Sequence, residues 1–301
     1  MNKSIEYAKY LLDPSYCIEQ NFEVFDATQN GYVPYKLFVL QKKLIKAFDE
    51  NRHNIVAKPR QAGVSTTTAA YLAVKLALAT KNSPEKVYIL ANKLDQSIAF
   101  LSKVREFTTM IPKWVWGEDY QFSKDVDGHI VGKGAAKKIV FVNDSYIEAK
   151  ACTTDALRGV TPTYLVIDEA AFVTEGSKTY AAAAASVATG GKMILISTPN
   201  GMDELYYKTY NGALLGDNDF NIIKMHWAYD PRYNKDLVWR EYDLDGNLLN
   251  EVAEQEFTEE SIEIKLLSSY KPTSTWFRKM CADLNNDKKA IAQELEVKFE
   301  G

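Results

Sequence analysis

Cysteine and histidine are scarce in this sequence, and neither residue type is clustered. The three cysteines, Cys17, Cys152 and Cys281, are widely spaced and form no CxxC pair, and the three histidines are scattered as well. Zinc sites and disulfide frameworks need closely spaced ligands or paired cysteines. The sequence therefore argues against both kinds of site, and it favours a reducing compartment.

Long apolar segments and a strong charge of one sign are also missing. No run approaches the roughly 18 apolar residues of a membrane-spanning helix, and the N-terminus lacks the apolar core of a secretory signal. We therefore expect no membrane association. The formal net charge is −4 over 301 residues. Composition alone thus does not indicate a nucleic-acid-binding protein, and contact with DNA would need a local basic patch, a partner or a segment outside this sequence.

Apolar segments of two lengths alternate through the middle of the chain. Short runs rich in Val, Ile and Leu predict buried strands at Asn54–Lys58, Lys86–Ala91, Lys138–Val142, Tyr146–Ala149, Tyr164–Asp168 and Lys192–Ser197. Longer runs predict helices at Ile5–Leu12, Leu37–Phe48, Ser65–Ala79, Leu94–Met110, Ser177–Ala188 and Met202–Asn211. This alternation predicts an α/β fold with a parallel sheet, whose strands end at one edge, where ligands bind.

The two ends of the chain differ from this middle region. Residues 1–34 predict a helix and then an irregular stretch, interpreted as an N-terminal helical or lid segment, and residues 35–215 form the predicted core. Residues 216–301 are predicted to be an accessory subdomain, which is helical and charged from Asn250 onward with a polar break near Ser268–Ser274. Because the last residues end without a clear helix cap, we expect them to form a linker toward a further domain.

The turn after the strand that ends at Lys58 has the context of a phosphate-binding loop, because a strand leads into it and a helix leaves it. Compared with the pattern GxxxxGK[ST], Gly63 and Ser65 match the second glycine and the hydroxyl, whereas Lys58 replaces the first glycine and Val64 the lysine. Backbone N–H groups of residues 61–66 can point at a β-phosphate, and Lys58 can supply the missing positive charge. A plain strand–helix turn containing glycine and serine is the alternative.

Two adjacent carboxylates, Asp168 and Glu169, stand at the end of the strand that begins at Tyr164. Strand alternation points them in different directions, so one can reach Mg²⁺ and the other can orient or deprotonate an attacking water. Phosphoryl transfer requires both roles. The alternative is an acidic N-cap for the next helix.

A third strand ends in two hydroxyls, Ser197 and Thr198, followed by the turn Pro199–Gly201. In NTPases such hydroxyls can sense the γ-phosphate and pass that state onward, although a plain Pro-Asn-Gly turn is the alternative. The order and spacing of the three segments together favour a nucleotide site.

As a set, these motifs resemble those of the large terminase subunit of tailed bacteriophages. The resemblance rests on Lys58–Ser65, Leu157–Gly159, Val166–Phe172 and Ser197–Gly201. It covers residues 35–215 and, more loosely, the rest of the chain, whose end at Ala292–Gly301 is similar to the family's bridge into a nuclease domain. It implies a P-loop NTPase of the ASCE/RecA-like class, with a three-layer αβα architecture around a mostly parallel sheet and a small helical accessory subdomain.

The resemblance also implies which residues hold the nucleotide. Lys58 would be a displaced phosphate lysine, and Arg60 would contact the γ-phosphate from within the same chain. Gln41 resembles the family's adenine-recognition glutamine, although a polar position on an amphipathic helix is the alternative. The whole predicted nucleotide-binding set is Gln41, Lys58, Pro59, Arg60, Gln61, Ala62, Gly63, Val64, Ser65 and Thr66.

The remaining implied roles concern the metal and the chemistry. Ser65 and Asp168 would hold Mg²⁺, and Glu169 would be the catalytic carboxylate. Ser197 and Thr198 would form a motif that couples hydrolysis to motion. Arg158, in a loop before the Asp–Glu strand, would be a second catalytic arginine, and an exposed loop arginine is its alternative interpretation.

The implied function is hydrolysis of ATP, with Mg²⁺, to power translocation of viral double-stranded DNA into a procapsid. The implied partners are double-stranded DNA, the portal protein and the small terminase subunit. The resemblance further implies a homo-oligomeric ring on the portal, located in the host cytoplasm. Acidic residues after the core read as solvated helix or loop faces, so we expect no nuclease activity from this chain.

Two other functions stay open. The Asp168–Ala170 segment also resembles a helicase box, which would make the chain a helicase-like or DNA-repair ATPase. The residues after Gly216 show neither the length nor the strand alternation of a second RecA-like domain. Alternatively, Val64 in place of the usual lysine would suit a nucleotide-binding scaffold that does not hydrolyse ATP, and the retained Glu169 argues against that reading.

Overall fold

The computed structural model describes residues 2–27, 29–117, 137–202, 205–253 and 258–299. Its contacts divide the chain into two compact units. The first consists of Met1–Val56, Gly63–Ser197 and Asp203–Ile223, and the second of Ala57–Ala62, Thr198–Met202 and Lys224–Gly301. The three parts predicted from the sequence, with boundaries after residues 34 and 215, stay predictions.

Helices of the first unit form where the sequence provides caps and apolar faces. The side chains of Asn2 and Asp13 cap the first two helices by accepting hydrogen bonds from backbone N–H groups of Ser4 and Ser15. The helices are Lys3–Leu12 (α1), Pro14–Asn21 (α2), Val39–Glu50 (α3), Val64–Leu78 (α4), Leu94–Met110 (α5), Lys113–Trp116 (α6), Gly176–Val187 (α7) and Tyr206–Leu215 (α8). The last begins four residues later than predicted from Met202.

An antiparallel pair of strands, Glu23–Asp26 (β1) and Gly31–Pro34 (β2), lies in the segment that the sequence analysis treats as irregular. Seven other strands of the described residues form the main sheet. They are His53–Ala57 (β3), Lys86–Ala91 (β4), Lys138–Val140 (β5), Tyr146–Ala151 (β6), Tyr164–Asp168 (β7), Lys192–Ser197 (β8) and Asn221–Lys224 (β9). All six predicted strands are confirmed, with ends shifted by a few residues, and β9 is an addition.

The strand order of the main sheet is β5-β6-β4-β7-β8-β3-β9. Strand β4 pairs in parallel with β6 and β7, β7 pairs in parallel with β8, and β5 pairs antiparallel with β6. The register aligns Ala91, Asp168 and Ile196 at the carboxyl ends of three neighbouring strands. The predicted α/β fold with a mostly parallel sheet is therefore confirmed, and the polar residues that end β7 and β8 lie at one edge.

The second unit contains an antiparallel sheet beside its helices, so the segment from Asn250 onward, predicted to be helical with a polar break near Ser268–Ser274, also contains strand residues. Its strands are Val238–Tyr242 (β10), Leu248–Ala253 (β11) and Tyr270–Thr273 (β12), in the order β11-β10-β12. Its helices are Glu259–Leu266 (α9), Thr275–Asp283 (α10) and Lys288–Glu294 (α11). Strand β11 is mostly exposed, and its residues show no alternating pattern that would predict a strand. Its conformation is therefore determined by pairing with β10.

A compact apolar cluster forms the core of the second unit. Trp227 and Trp239 are almost completely buried there, together with Leu237, Ile262 and Leu295. Trp227 lies at the start of a short 3₁₀ helix, Trp227–Tyr229, which connects this core to the following loop. The tryptophan therefore serves packing, as its apolar surroundings require.

Burial fixes the chemical state of two of the cysteines. Cys17 and Cys152 are free and buried, and desolvation raises the pKa of each thiol to about 12. Both therefore stay protonated at neutral pH, and a protonated thiol is a poor nucleophile and metal ligand. In the described part of the chain, no helix combines the length and the apolar character needed to cross a bilayer.

Candidate nucleotide site

The predicted phosphate loop lies between β3 and α4. Strand β3 is buried along its whole length, and the loop then turns through Gln61 and Gly63, whose φ angles are +59° and +74°. Gly63 is the N-cap of α4, so the unpaired N–H groups of the first helical turn follow it directly. Val64 is only 1% exposed, so its apolar side chain is packed in the interior at the position where a phosphate lysine is usual.

The structure brings Ser65 and Asp168 together. The Ser65 hydroxyl donates a hydrogen bond to Oδ1 of Asp168 over 3.2 Å. The same carboxylate oxygen accepts a hydrogen bond from the backbone N–H of Glu169 over 3.1 Å. A hydroxyl and a carboxylate are the hard oxygen ligands that Mg²⁺ prefers, usually alongside water and substrate phosphate. The residues present therefore fit the predicted metal.

Glu169 does not continue the strand alternation that the sequence predicts. Its backbone is left-handed, with φ of 52° and ψ of 45°, and the chain turns there from β7 into the 3₁₀ turn Ala170–Phe172. Such a conformation costs about 1–3 kcal/mol at a non-glycine residue and is concentrated at functional sites. The direction of the Glu169 side chain is thus set by a turn and not by the pleat of the strand.

Ser197 ties the end of β8 to this same turn. Its hydroxyl accepts a hydrogen bond from the backbone N–H of Ala171 over 3.1 Å, and the serine is completely buried. Thr198, the other predicted coupling residue, is 2% exposed. A shift of the turn after Glu169 would therefore break this hydrogen bond or move the end of β8 with it.

Gln41 of α3 lies against the loop. It is 4% exposed, and its Oε1 accepts a hydrogen bond from the backbone N–H of Phe38 over 3.0 Å. Its Nε2 faces Gly63 so closely that a Cβ atom on Gly63 would lie 2.9 Å away. The structure thus places the predicted adenine glutamine beside the loop, and its role toward a base stays a prediction.

We expect Gly63→Ala to lower the free energy of unfolding more than Gly159→Ala does. Both glycines are left-handed, with φ of +74° and +72°, so a side chain costs about 1–2 kcal/mol at either position. At Gly63 the new Cβ also meets Gln41, whereas nothing lies within 4 Å of a Cβ at Gly159. Urea unfolding compares the two variants, and equal losses would show that Gln41 moves aside without cost.

The other loop residues predicted to bind phosphate belong to the second unit. Lys58 is 7% exposed and Pro59 is buried. Arg60 is exposed, and its Nε forms an ion pair with the Glu294 carboxylate over 2.5 Å. The backbone N–H of Arg60 also donates to the Glu294 carbonyl over 3.2 Å. In this structure the predicted phosphate arginine is therefore engaged by an acidic residue at the end of α11, which the sequence analysis missed.

Arg158 is placed on the surface. Its side chain is 80% exposed and pairs with Asp155, three residues earlier, over 3.0 Å. The contacts that the structure shows for Arg158 are thus within its own loop. They agree with the alternative interpretation, in which Arg158 is an exposed loop arginine. Its catalytic role stays a prediction. Ala62 and Thr66, which complete the predicted loop, are partly exposed.

The chain is similar in sequence and in fold to known large terminase subunits. The family described as "Terminase large subunit, T4likevirus-type, N-terminal" matches residues 55–279. The solved large terminase ATPase domain of Thermus phage P74-26 is similar at a TM-score of 0.55 and 18% identity, over 88% of this chain and 95% of that one. The HK97 bacteriophage large terminase has a TM-score of 0.59 at 14% identity, over 95% of this chain and 55% of that one. At these identities the structures show a shared fold.

Proposed function

This chain belongs to the family of T4-like large terminase subunits, whose N-terminal part it matches over residues 55–279, and we propose that it hydrolyses ATP to drive viral DNA into a procapsid. Phage DNA packaging is the function at the level of the family. The finer steps, namely which residues act, which metal assists and what moves, belong to the proposal.

The observation that carries the proposal is the contact of Ser65 with Asp168 at the start of α4, with Glu169 next in the chain. Backbone N–H groups at Gly63–Thr66 would bind the phosphates, aided by the dipole of α4. Mg²⁺ held by Ser65 and Asp168 would neutralise charge on the phosphate oxygens. The geometry thus supports a proposal of anion binding and metal ligation at one helix start.

In the proposed reaction, Glu169 accepts a proton from a water molecule as the water oxygen attacks the γ-phosphorus. The bond from that phosphorus to the β–γ bridging oxygen breaks, and ADP and inorganic phosphate result. Lys58 and Arg60 would offset the negative charge that spreads over the phosphate oxygens. Ser197, hydrogen-bonded to the turn after Glu169, would pass the loss of the γ-phosphate to the end of β8.

The partners follow from the family and stay proposals. We propose double-stranded DNA, the portal protein and the small terminase subunit as partners, with copies of the chain forming a ring on the portal in the host cytoplasm. This chain spans 55% of the HK97 large terminase, so the activities of a whole large subunit are proposed and not assigned to these residues.

Single-turnover release of phosphate tests the enzymatic proposal. The protein is mixed in excess over labelled ATP, with Mg²⁺ or with a chelator, and Ser65→Ala is measured beside the wild type. We expect release that depends on Mg²⁺ and is slower in the variant. Binding of ATP without release under any condition would instead favour a nucleotide-binding scaffold, and failure to bind ATP would overturn the site itself.

We expect Glu294→Gln to tighten nucleotide binding. A phosphate at Arg60 must displace the Glu294 carboxylate, which now pairs with its guanidinium. The Arg60 side chain is 71% exposed and the Glu294 side chain 13% exposed. Solvent therefore screens the pair from one side, and a contribution of about 1 kcal/mol corresponds to a rise in affinity of about five-fold. The matched control is Glu296→Gln, which breaks a pair with Lys298. Weaker binding by Glu294→Gln would mean that Glu294 supports the loop and does not compete with phosphate.

A further inference from the structure

Arg232 of the second unit contacts the phosphate loop, and the mechanism above gives it no role. Its Nη2 group donates a hydrogen bond to the main-chain carbonyl of Gln61 over 3.2 Å. Gln61 has a left-handed backbone, with φ of +59°. A non-glycine residue keeps this disfavoured conformation only where its surroundings fix it. The hydrogen bond from Arg232 therefore helps to fix the backbone of Gln61 in the middle of the loop.

The guanidinium of Arg232 is itself held in place by Asp230. Oδ1 of Asp230 accepts hydrogen bonds from the backbone N–H and from Nε of Arg232, each over 2.9 Å, and Oδ2 accepts one from Nη2 over 2.6 Å. The Asp230 side chain is 12% exposed. A forked contact of this kind fixes the plane of a guanidinium, which a lysine ammonium cannot reproduce.

Asp230 is anchored in the core of the second unit. Its backbone N–H donates to the carbonyl of Trp227 over 2.9 Å, and Trp227 is 1% exposed. The guanidinium also lies over the ring of Tyr233, which stacks on Trp276 with the ring centroids 3.9 Å apart. A continuous set of contacts therefore runs from the buried Trp227 and the partly buried Trp276 through Asp230 and Tyr233 to Arg232 and the loop.

The consequence for the loop follows from peptide geometry. No peptide bond in the described residues is cis, and in a trans peptide the carbonyl and the following N–H point in opposite directions. Holding the Gln61 carbonyl at Arg232 therefore aims the N–H of Ala62 away from Arg232. Successive N–H groups oriented in this way form the concavity that binds a phosphate.

We propose that Arg232, held by Asp230, is a positioning residue that orients the Gln61–Ala62 peptide to bind the phosphates of a nucleoside diphosphate or triphosphate. This inference rests on the proposed nucleotide site. The carbonyl of Gln61 accepts the bond, so the residue acts through the loop backbone. An arginine acting in this way should affect the binding of ADP and ATP equally, since the loop cradles phosphates common to both.

Titration of the full chain with fluorescent ADP and a fluorescent non-hydrolysable ATP analogue tests this role. We expect Arg232→Lys to weaken the binding of both ligands by a common factor of about ten. Asp230→Asn should also weaken the binding of both ligands. Arg240→Lys is the matched control, because Arg240 forms an exposed pair with Glu251 over 2.7 Å in the same unit. A loss confined to the ATP analogue would make Arg232 a direct γ-phosphate ligand, and unchanged affinities would remove its role; either result overturns the proposal.

Hydrogen–deuterium exchange of the loop peptide, measured without nucleotide, separates this inference from the proposed function. Arg232→Lys should speed exchange of the backbone amides in residues 58–66, whereas Arg240→Lys should not, at matched urea unfolding midpoints. Unchanged loop exchange would overturn the positioning role even if nucleotide binds. A wild type that binds neither nucleotide, with faster loop exchange in Arg232→Lys, would count against the nucleotide site alone.

Discussion

Glutamine at position 169 is expected to remove most of the ATP hydrolysis while leaving nucleotide binding in place. The Glu169→Gln change keeps the shape of the side chain and removes its capacity to accept a proton. General-base catalysis contributes about 10²- to 10⁴-fold to a rate, so the single-turnover rate should fall by that factor. The affinity for ADP should change by less than about three-fold, because a group used only in the transition state does not alter ground-state binding.

The structure offers a closely matched control for this variant. Glu175 has a left-handed backbone with φ of 53°, nearly that of Glu169, whose φ is 52°. Its carboxylate forms an exposed pair with Lys178 over 3.0 Å. Glu175→Gln thus changes the same side chain on the same backbone conformation, without touching the proposed chemistry, and should hydrolyse ATP at the wild-type rate. If both variants keep that rate, Glu169 is not the base and the hydrolytic mechanism loses its catalytic carboxylate.

The parts of the site that lie at strand ends could be predicted from the sequence. Asp168 and Ser197 each end a run of apolar residues, and parallel pairing of β7 with β8 brings such ends to one edge of the sheet. Ser65 begins the helix that leaves the neighbouring loop, and it reaches Asp168 directly. Strand alternation and helix starts are local signals, and they are sufficient to predict which polar groups converge.

The contacts that hold the loop could not be predicted in this way. Arg232 lies 171 positions from Gln61 in the chain, and Glu294 stands in a charged segment where a glutamate needs no special explanation. Their roles depend on how the second unit folds, and its strands are not evident from the sequence, because β11 is mostly exposed and shows no alternation of apolar and polar residues. Tertiary pairing decides the structure of such a segment, whatever its own propensity.

The backbone conformation of Glu169 is a second feature that could not be predicted from the sequence. Alternation along a strand predicts opposite directions for Asp168 and Glu169, but the strand ends at Asp168 and Glu169 turns with positive φ. Strained residues of this kind are maintained by their surroundings, here including the bond from the Glu169 N–H to Asp168. No local pattern of residue types specifies such a turn where the residue is not glycine.

Lys58→Ala should act mainly on nucleotide binding, whereas Val64→Ala should act mainly on stability. Lys58 is proposed to provide the ammonium that the usual lysine position lacks, and a hydrogen bond to a charged group contributes about 1.5–3 kcal/mol, so ADP affinity should fall about 10- to 150-fold. Val64 carries no charge and is 1% exposed. Its truncation should leave affinity nearly unchanged and lower the free energy of unfolding by about 1–2 kcal/mol.

Lys58→Met keeps this comparison clean, because Lys58 is itself 7% exposed and truncation to alanine also removes packed methylene groups. Methionine retains most of the stem and removes the charge, so its loss of affinity should match that of Lys58→Ala while its unfolding midpoint stays nearer the wild type. ADP titration and urea unfolding on the four proteins measure both quantities. Equal losses of affinity in the Lys58 and Val64 variants would show that the positive charge at this site comes from another residue. An ammonium attracts a phosphate directly, whereas a buried valine can affect binding only through the packing of the loop.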